Sequence, residues 1–159
     1  MDVISLLGSA PGRLVAASFS DVGPDPDAAL AAAGCDRLVC LVTIQEMHQR
    51  FPDMERWVAE AGPRVLHAPI PDGGTIDDDS LAAVVRSLAS DLEEGKGLLL
   101  QCGGGMGRVG VVAILVLVTI GFELDEATEH VRRSRVGAGP DNAEQQAQVV
   151  RLAPLLGFG

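Results

Sequence analysis

Short apolar runs, bounded by glycine, proline and polar residues, recur along the chain and predict five β-strands. The run Arg37–Val42 is rich in apolar residues at consecutive positions, which is typical of a strand that is buried on both faces of a sheet. The predicted strands are Val3–Leu7, Arg13–Phe19, Arg37–Val42, Arg64–Ala68 and Gly97–Gln101.

Apolar residues at three- and four-residue spacing predict helices between and after these strands. Thr43 and Glu46 form a capping-box pattern, and the acidic run 77–79 precedes a helix that extends to Leu92. The other predicted helices are Asp27–Ala33, Pro52–Ala61, Arg108–Ile120, Leu124–Ser134 and Asn142–Leu156. This alternation predicts an α/β fold, a single domain over residues 1–159 with a central, mostly parallel sheet flanked by helices. In such folds the functional site lies at the carboxyl ends of the strands.

The composition predicts an aliphatic core and limits the partners. The chain contains four Phe, one Trp and no Tyr, and 47% of its residues are hydrophobic. A formal net charge of −10 would repel a nucleic-acid backbone, so we expect no nucleic-acid partner, and any anion site must be local. The longest apolar stretch, Val109–Ile120, is too short to span a bilayer. We therefore expect a soluble cytoplasmic protein without a membrane partner.

One Gly-rich loop contains the residues that we single out for chemistry. Residues 101–108 read Gln-Cys-Gly-Gly-Gly-Met-Gly-Arg and lie between a predicted strand and a very apolar helix. The glycines allow consecutive backbone N–H groups to turn inward, and the helix N-terminus adds positive partial charge, so this loop is suited to bind an anion. The same field favours the thiolate of Cys102, which is the nucleophilic form. Arg108 can grip two phosphoryl oxygens through its planar guanidinium.

The five-residue interval between Cys102 and Arg108 resembles the signature of the cysteine-dependent protein tyrosine phosphatase superfamily. The upstream segment Pro69–Asp77 makes the sequence similar to the small dual-specificity members. The resemblance covers residues 37–150 and implies a protein tyrosine phosphatase-like fold. It implies hydrolysis of phosphotyrosine, phosphoserine or phosphothreonine in proteins through a phosphocysteine intermediate. It implies no metal and no organic cofactor, and the partner would be a phosphorylated protein or a small phosphate ester.

The resemblance also implies a role for each matching position. Cys102 would be the nucleophile, Arg108 would grip the phosphoryl group, and Asp72 would be the general acid that later acts as base toward water. Gln145, which follows Asn142, would position the hydrolytic water, and Gln146 is the alternative. The phosphate-binding residues would be Gly103, Gly104, Gly105, Met106, Gly107 and Arg108.

Two positions depart from the family pattern. Gln101 stands where relatives usually have a histidine that supports ionisation of the nucleophile, and Val109 stands where they usually have Ser or Thr, whose hydroxyl assists breakdown of the phosphocysteine. These departures predict slow turnover, particularly in the second step. They leave open a catalytically weak or inactive phosphate-binding module. A phosphatase for a non-protein phosphate ester is the other alternative.

Other patterns have simpler explanations. Gly105–Gly110 satisfies the G-x-G-x-x-G pattern of dinucleotide-binding sites, but it lies two-thirds of the way along the chain, and helices rather than strands follow it. Cys35 and Cys40 are predicted to be core thiols, in keeping with a reducing compartment. The basic run 132–135 is predicted to be a solvated helix end, with contact to the phosphate pocket as the alternative.

Overall fold

The computed structural model describes residues 1–157, and in it strands alternate with helices as predicted. Residues 158 and 159, which the sequence assigns to the same domain, lie outside the described part. The strands are β1 (Asp2–Ile4), β2 (Arg13–Ala17), β3 (Arg37–Cys40), β4 (Val65–His67) and β5 (Gly97–Gln101). The helices are α1 (Phe19–Val22), α2 (Pro26–Ala33), α3 (Ile44–Arg50), α4 (Pro52–Glu60), α5 (Asp78–Glu93), α6 (Gly107–Thr119), α7 (Leu124–Ser134) and α8 (Ala143–Leu156), and a 3-10 turn, Gly62–Arg64, precedes β4.

The five strands form one sheet with the spatial order β1-β2-β5-β3-β4. β1 runs antiparallel to β2, and the other three pairings are parallel, which confirms the expected mostly parallel sheet. All five residues of β5 are buried, as a central strand that is covered on both faces requires.

Helices cover both faces of the sheet, and successive residues of β5 point to opposite sides. Leu98 and Leu100 pack in the cluster formed with α5, α6, α7 and α8, whereas Leu99 packs in the smaller cluster formed with α1 to α4. Helix α6 is buried on all sides over residues 107–118, which explains its continuous apolar sequence. Because each fully buried Val or Leu side chain contributes about 1.5–3 kcal/mol, the position of the α6 N-terminus is well fixed.

The first predicted strand, Val3–Leu7, is too long and ends at Ile4. The chain then turns back, with Ser9 N donating a hydrogen bond to Leu6 O at 2.9 Å. Leu7 has a positive φ of 50°, which an extended strand does not allow. The last three strands agree with the prediction to within two residues at each end.

The second predicted strand, Arg13–Phe19, is also too long and ends at Ala17, because a short helix that the sequence analysis missed begins there. Ser18 Oγ accepts a hydrogen bond from Asp21 N at 3.2 Å, and the Asp21 carboxylate accepts one from Ser18 N at 3.0 Å. This reciprocal pair is a capping box, and it starts α1. The pattern Ser-Phe-Ser-Asp is visible in the sequence, but the apolar run of the strand continues into it.

The sheet brings the carboxyl ends of three parallel strands to one edge. Ala17 of β2 and Cys40 of β3 lie on either side of Gln101 of β5 in the sheet register. The loops that follow these residues therefore meet, and the segment that contains Cys102 lies in the middle. Across residues 1–157, no helix combines the length and the apolar character needed to cross a membrane.

Candidate active site

The segment 102–106 joins β5 to the N-terminus of α6. Cys102 is 2% exposed and belongs to the same apolar cluster as Val109 of α6. Met106 precedes α6, and its side chain caps no backbone N–H of the helix. The first N–H groups of α6 therefore depend on some other acceptor.

Each carbonyl group of residues 102–106 accepts a hydrogen bond from a donor outside this loop. The donors belong to the end of β5, to α1, to α6 and to the segment after α7. Cys102 O accepts from Gln101 Nε2 (2.8 Å), Gly103 O from Phe19 N (2.7 Å), Gly104 O from Arg135 Nη2 (3.1 Å), Gly105 O from Arg135 Nε (2.7 Å), and Met106 O from Gly110 N (2.8 Å) and Gly139 N (3.1 Å).

These outward carbonyls determine where the N–H groups of the loop point. In a planar trans peptide the C=O and the following N–H point in opposite directions. The N–H groups of residues 103–107 therefore point to the inner side of the loop. Within residues 1–157, no N–H group of residues 103–108 donates to a protein acceptor. A ring of convergent, unpaired N–H groups at a helix N-terminus is a cradle for a tetrahedral anion.

Position 105 requires a glycine, both for its backbone conformation and for its close packing. Its φ is +73°, in the left-handed region that favours glycine. A Cβ at this position would lie 2.6 Å from Ala17 O and 2.7 Å from Arg135 Nη2. The loop is therefore seated directly against the end of β2 and against Arg135, with no room for a side chain.

Arg108 is fixed at the back of the cradle by Glu46. The Arg108 side chain is 2% exposed, with Nη1 2.8 Å from Glu46 Oε1 and Nη2 3.0 Å from Glu46 Oε2. Nη1 also donates to Ile70 O at 2.7 Å. On the other edge of the guanidinium, Nε donates to no acceptor among residues 1–157, and Nη2, besides its bond to Glu46, approaches the exposed Asp72 carboxylate at 3.4 Å. This edge can take two oxygens of a phosphoryl group.

Glu46 has two functions, of which the sequence analysis found one. It is the reciprocal half of the capping box at the start of α3, accepting from Thr43 N at 3.0 Å, as predicted. Burial raises its pKa, but the hydrogen bonds from Arg108 and Thr43 outweigh burial and hold that pKa below its ordinary value. Burial lowers the pKa of Arg108, yet the hydrogen bond to Glu46 raises it overall. Both groups are therefore charged at neutral pH.

Asp72 lies on a turn above Arg108. Gly74 N donates to Pro71 O at 2.9 Å, and Gly73 has φ +70°, so the segment forms a β-turn that directs Asp72 outward. The Asp72 side chain is 83% exposed, and its Oδ1 approaches Arg108 Nη2 at 3.4 Å. The structure thus brings the predicted acid and the predicted phosphate-gripping residue together at the mouth of the cradle.

The acid loop, which we define as residues 71–77, is attached to the polar side of α8. Each hydrogen bond joins a different pair of residues, so the attachment extends along the loop. The bonds are Asn142 Nδ2 to Gly73 O (2.8 Å), Gln145 Nε2 to Gly74 O (3.3 Å), Thr75 Oγ1 to Glu144 Oε1 (2.8 Å) and Gln148 Nε2 to Ile76 O (2.6 Å).

Gln145 is buried beside the acid loop, whereas the alternative, Gln146, is exposed. Gln145 Oε1 accepts from Asp141 N at 2.7 Å, and its Nε2 donates to Gly74 O at 3.3 Å. The structure therefore places Gln145 at the junction of α8 and the acid loop. An amide Nε2 carries two N–H groups, so the Gly74 contact leaves the second one available.

Gln101 lies beneath the cradle, between β2 and β3, and its side chain is buried. Its Nε2 orients the Cys102 carbonyl, while its Oε1 has no hydrogen-bond partner among residues 1–157. An unpaired buried amide oxygen costs about 1–3 kcal/mol. Gln101 thus contacts Cys102 through the backbone carbonyl of that residue.

Of the other cysteines, Cys40 is a core thiol as predicted, whereas Cys35 is half-buried and packs against the cluster that contains Cys40. Burial raises the pKa of Cys35 to about 11 and that of Cys40 to about 12, so both thiols are neutral at pH 7. Cys40 belongs to the cluster on one face of the sheet and Cys102 to the cluster on the other. All three cysteines are free.

The basic run 132–135 at the end of α7 is only partly the solvated helix end that the sequence predicts. Arg132 and Arg133 are exposed, but Arg135 is buried against the Gly-rich loop. It lies 30 residues from Gly105 in the sequence, so no local pattern indicated this contact. The same holds for the pairing of Arg108 with Glu46, which are 62 residues apart.

Sequence comparisons agree with this geometry. Residues 8–153 match the family described as PTP-SAK, the Swiss Army Knife protein DSP-PTPase phosphatase domain. The chain is also similar to Cyclin-dependent kinase inhibitor 3 of Rattus norvegicus, with 32% identity over 90 residues. That match covers 56% of this chain and 42% of the relative, so the chain spans less than half the length of this relative.

Two solved structures are similar over almost the whole chain. A crystal structure of Tk-PTP in the active form has a TM-score of 0.70 and 28% identity, covering 96% of this chain and 97% of that chain. Kinase associated phosphatase (KAP), crystallised with its catalytic site cysteine substituted by serine, has a TM-score of 0.79 and 23% identity, covering 98% of this chain and 94% of that chain. At this identity the likeness to KAP shows the fold alone.

Proposed function

The chain belongs to the PTP-SAK family of dual-specificity-type phosphatase domains, and from this premise we propose that it hydrolyses phosphate monoesters through a phosphocysteine intermediate. One observation carries the proposal. The N–H groups of the loop converge on its inner side, between the cysteine at the end of β5 and the Nε edge of Arg108. Such a cradle holds three phosphoryl oxygens and leaves the phosphorus open to attack.

In the proposed first step the Cys102 thiolate attacks phosphorus, and the bond from phosphorus to the leaving oxygen breaks. Asp72 gives its proton to that oxygen, so the product alcohol or phenol leaves neutral. Negative charge spreads over the three equatorial oxygens during the transfer. The loop N–H groups and the Nε and Nη2 atoms of Arg108 stabilise this charge, while Glu46 keeps the guanidinium in place.

In the proposed second step water attacks the phosphocysteine. The Asp72 carboxylate accepts a proton from the water, the sulfur–phosphorus bond breaks, and inorganic phosphate leaves as the thiolate is restored. Gln145 is our candidate for positioning this water, because its Nε2 lies beside the acid loop and has a second N–H group. Val109 offers no hydroxyl to the departing sulfur, so this step is the slow one.

The substrate class that we propose is a phosphorylated protein, with a small phosphate ester as the alternative. The exposure of Asp72 supports a shallow cradle that phosphoserine and phosphothreonine can reach as well as phosphotyrosine. The loop contains no lysine that would favour a highly charged headgroup. We propose a cytoplasmic location, where a reducing environment keeps Cys102 a free thiol.

A second candidate function is a phosphate-binding module with little or no turnover. The observation that favours it is Val109, which is fully buried at a position where a hydroxyl is expected. Such a module would use the same cradle and Arg108 and would stop after binding or after the first step.

A substitution series separates the two functions. We expect wild type to hydrolyse p-nitrophenyl phosphate and phosphopeptides, and Cys102→Ser to lose this turnover while it still binds vanadate. Asp72→Asn should lower kcat/KM, which reports the first step, by roughly 10²–10⁴-fold with phosphoserine peptides, whose leaving group needs protonation, and by less with p-nitrophenyl phosphate. Cys35→Ser is the matched control and should be unchanged. Vanadate binding without turnover in wild type would favour the binding module.

A further inference from the structure

Arg135 follows the last residue of α7, and its side chain is buried on the outer side of the Gly-rich loop. All three nitrogen atoms of its guanidinium are engaged. Nε donates to Gly105 O at 2.7 Å, Nη2 donates to Gly104 O at 3.1 Å, and Nη1 pairs with the Asp2 carboxylate at 2.8 Å. One edge of the planar fork therefore grips two successive carbonyl groups of the loop.

The loop has few internal restraints of its own. Residues 103–105 are three consecutive glycines, and glycine has the largest backbone freedom of any residue. Neighbouring carbonyls are held by backbone donors, Gly103 O by Phe19 N and Met106 O by Gly110 N. The two peptide groups between them, which begin at Gly104 and Gly105, are held by Arg135.

Fixing these two carbonyls fixes two donors of the cradle. Because the peptide groups are planar and trans, an outward Gly104 O directs Gly105 N–H inward, and an outward Gly105 O directs Met106 N–H inward. A rotation of either peptide would turn a carbonyl dipole toward the bound anion, where it would repel the anion instead of binding it. The Arg135 guanidinium opposes this rotation because its buried Nε or Nη2 would lose its acceptor, while only Nη1 keeps the Asp2 carboxylate.

We propose that Arg135 is a positioning residue that holds the Gly104 and Gly105 carbonyls outward, so that the N–H groups of Gly105 and Met106 face the phosphoryl oxygens. This inference rests on the proposed phosphate-binding function of the cradle. Arg135 does not touch the substrate and acts through the loop backbone. Its positive charge also adds to the field at the cradle from behind.

A merely structural role for Arg135 makes a different prediction. The pair with Asp2 ties β1 to the segment after α7, and its loss would lower stability without rotating the loop peptides. Asp2→Asn removes the charge of this partner but leaves both carbonyl contacts of Arg135. It is therefore the control for stability, and Arg133→Ala is the control for the loss of a nearby positive charge.

The experiment compares wild type with Arg135→Lys, Arg135→Ala and the two controls. Vanadate affinity and the melting temperature are measured for each protein, and the amide signals of residues 103–108 are followed by NMR as vanadate is added. A lysine keeps the charge but cannot reproduce the two-point fork. If Arg135→Ala does not fold, Arg135→Lys carries the test.

We expect Arg135→Lys to weaken vanadate binding by about tenfold and Arg135→Ala by more, because charge-assisted bidentate contacts are lost. In both Arg135 variants, the changes in amide chemical shift that vanadate causes at Gly105 and Met106 should become smaller, while those at Gly103 and Gly107 persist. Guanidinium ions in solution should partly restore the vanadate affinity of Arg135→Ala. Asp2→Asn should have a lower melting temperature but the vanadate affinity of wild type.

Unchanged vanadate affinity and unchanged Gly105 and Met106 shifts in Arg135→Lys would overturn the proposal. A loss of affinity in the Asp2→Asn control that equals the loss in Arg135→Lys would also overturn it. Both results would leave the phosphatase function standing, provided that wild type binds vanadate. Wild type that neither binds vanadate nor hydrolyses p-nitrophenyl phosphate would instead refute the function of the cradle itself.

Discussion

Glu46 and Arg108 meet end-on, with Oε1 2.8 Å from Nη1 and Oε2 3.0 Å from Nη2. Glu46 lies in the first turn of α3 and Arg108 in the first turn of α6, so one ion pair connects the two faces of the sheet at the site. The pair uses the Nη1 and Nη2 end of the guanidinium, so the Nε edge faces the cradle and is not bound to Glu46. Orientation of Arg108 is therefore set before any phosphate binds.

The first prediction is that Glu46→Gln impairs phosphate binding as well as stability. Arg108 loses its charged partner and can swing toward Asp72, which lies 3.4 Å away. We expect kcat/KM for p-nitrophenyl phosphate to fall by about 10–100-fold, which corresponds to about 1.4–2.7 kcal/mol. Glu55→Gln, which alters a surface pair with His48, is the matched control and should retain wild-type kinetics. Equal kinetics in both variants would contradict the anchoring role.

The second prediction concerns acid stability. The pKa of Glu46 is lowered in the folded protein, so the unfolded chain takes up this proton at a higher pH than the folded chain does. The stability that the group contributes is complete above its ordinary pKa of 4.5 and is lost as the pH falls through the lower folded value. Urea unfolding should therefore show that the difference in free energy of unfolding between wild type and Glu46→Gln becomes smaller as the pH is lowered from 7 to 3. A gap of constant size at every pH would contradict the cause given for this shift.

The third prediction concerns the contact between α8 and the acid loop. Gln148 Nε2 donates to Ile76 O at 2.6 Å and to the Asp78 carboxylate at 3.1 Å. We expect Gln148→Ala to loosen the loop and to lower kcat/KM by roughly tenfold with phosphoserine peptides, which depend most on the general acid in the first step. With p-nitrophenyl phosphate the effect should be small.

The control for this experiment is Glu129→Ala, an exposed position on α7. It should leave both substrates unaffected. If Gln148→Ala slowed both substrates to the same extent, the contact would serve folding rather than the placement of Asp72.

The fourth prediction is that Val109→Thr speeds the second step. Thr has nearly the same shape as Val and places a hydroxyl near Cys102 in an otherwise apolar cluster. Burial of the hydroxyl should lower stability by about 1–3 kcal/mol. We expect the pre-steady-state burst with an aryl phosphate to diminish because the steady-state rate rises. Val111→Thr, on the same helix, is the control for the stability cost and should keep the wild-type burst.

Much of the fold and part of the site could be predicted because their signals are local. The apolar runs and capping residues predicted the last three strands and the long helices to within one or two residues. The interval from Cys102 to Arg108 indicated a phosphatase, and the family match over residues 8–153 confirms that family. The sequence could place Asp72 only through the resemblance, and the catalytic roles of Cys102, Arg108, Asp72 and Gln145 are proposals.

The rest depends on contacts between segments that are distant in the sequence. Glu46 could be recognised as a cap from its neighbours, but its pairing with Arg108 requires β3 and β5 to lie side by side. Arg135 could be recognised as part of a basic helix end, but its burial depends on how α7 packs beside the loop. Both residues support the cradle from outside, where spacing along the chain carries no signal.

The most direct test of the central claim is to trap the covalent intermediate. Wild type is mixed rapidly with p-nitrophenyl phosphate, quenched in acid and analysed by mass spectrometry of its peptides. We predict one phosphoryl group on the peptide that contains Cys102, reaching a large fraction of the enzyme because Val109 slows its release. Hydrolysis that continues with no phosphorylated Cys102, or that survives in Cys102→Ser, would contradict the account.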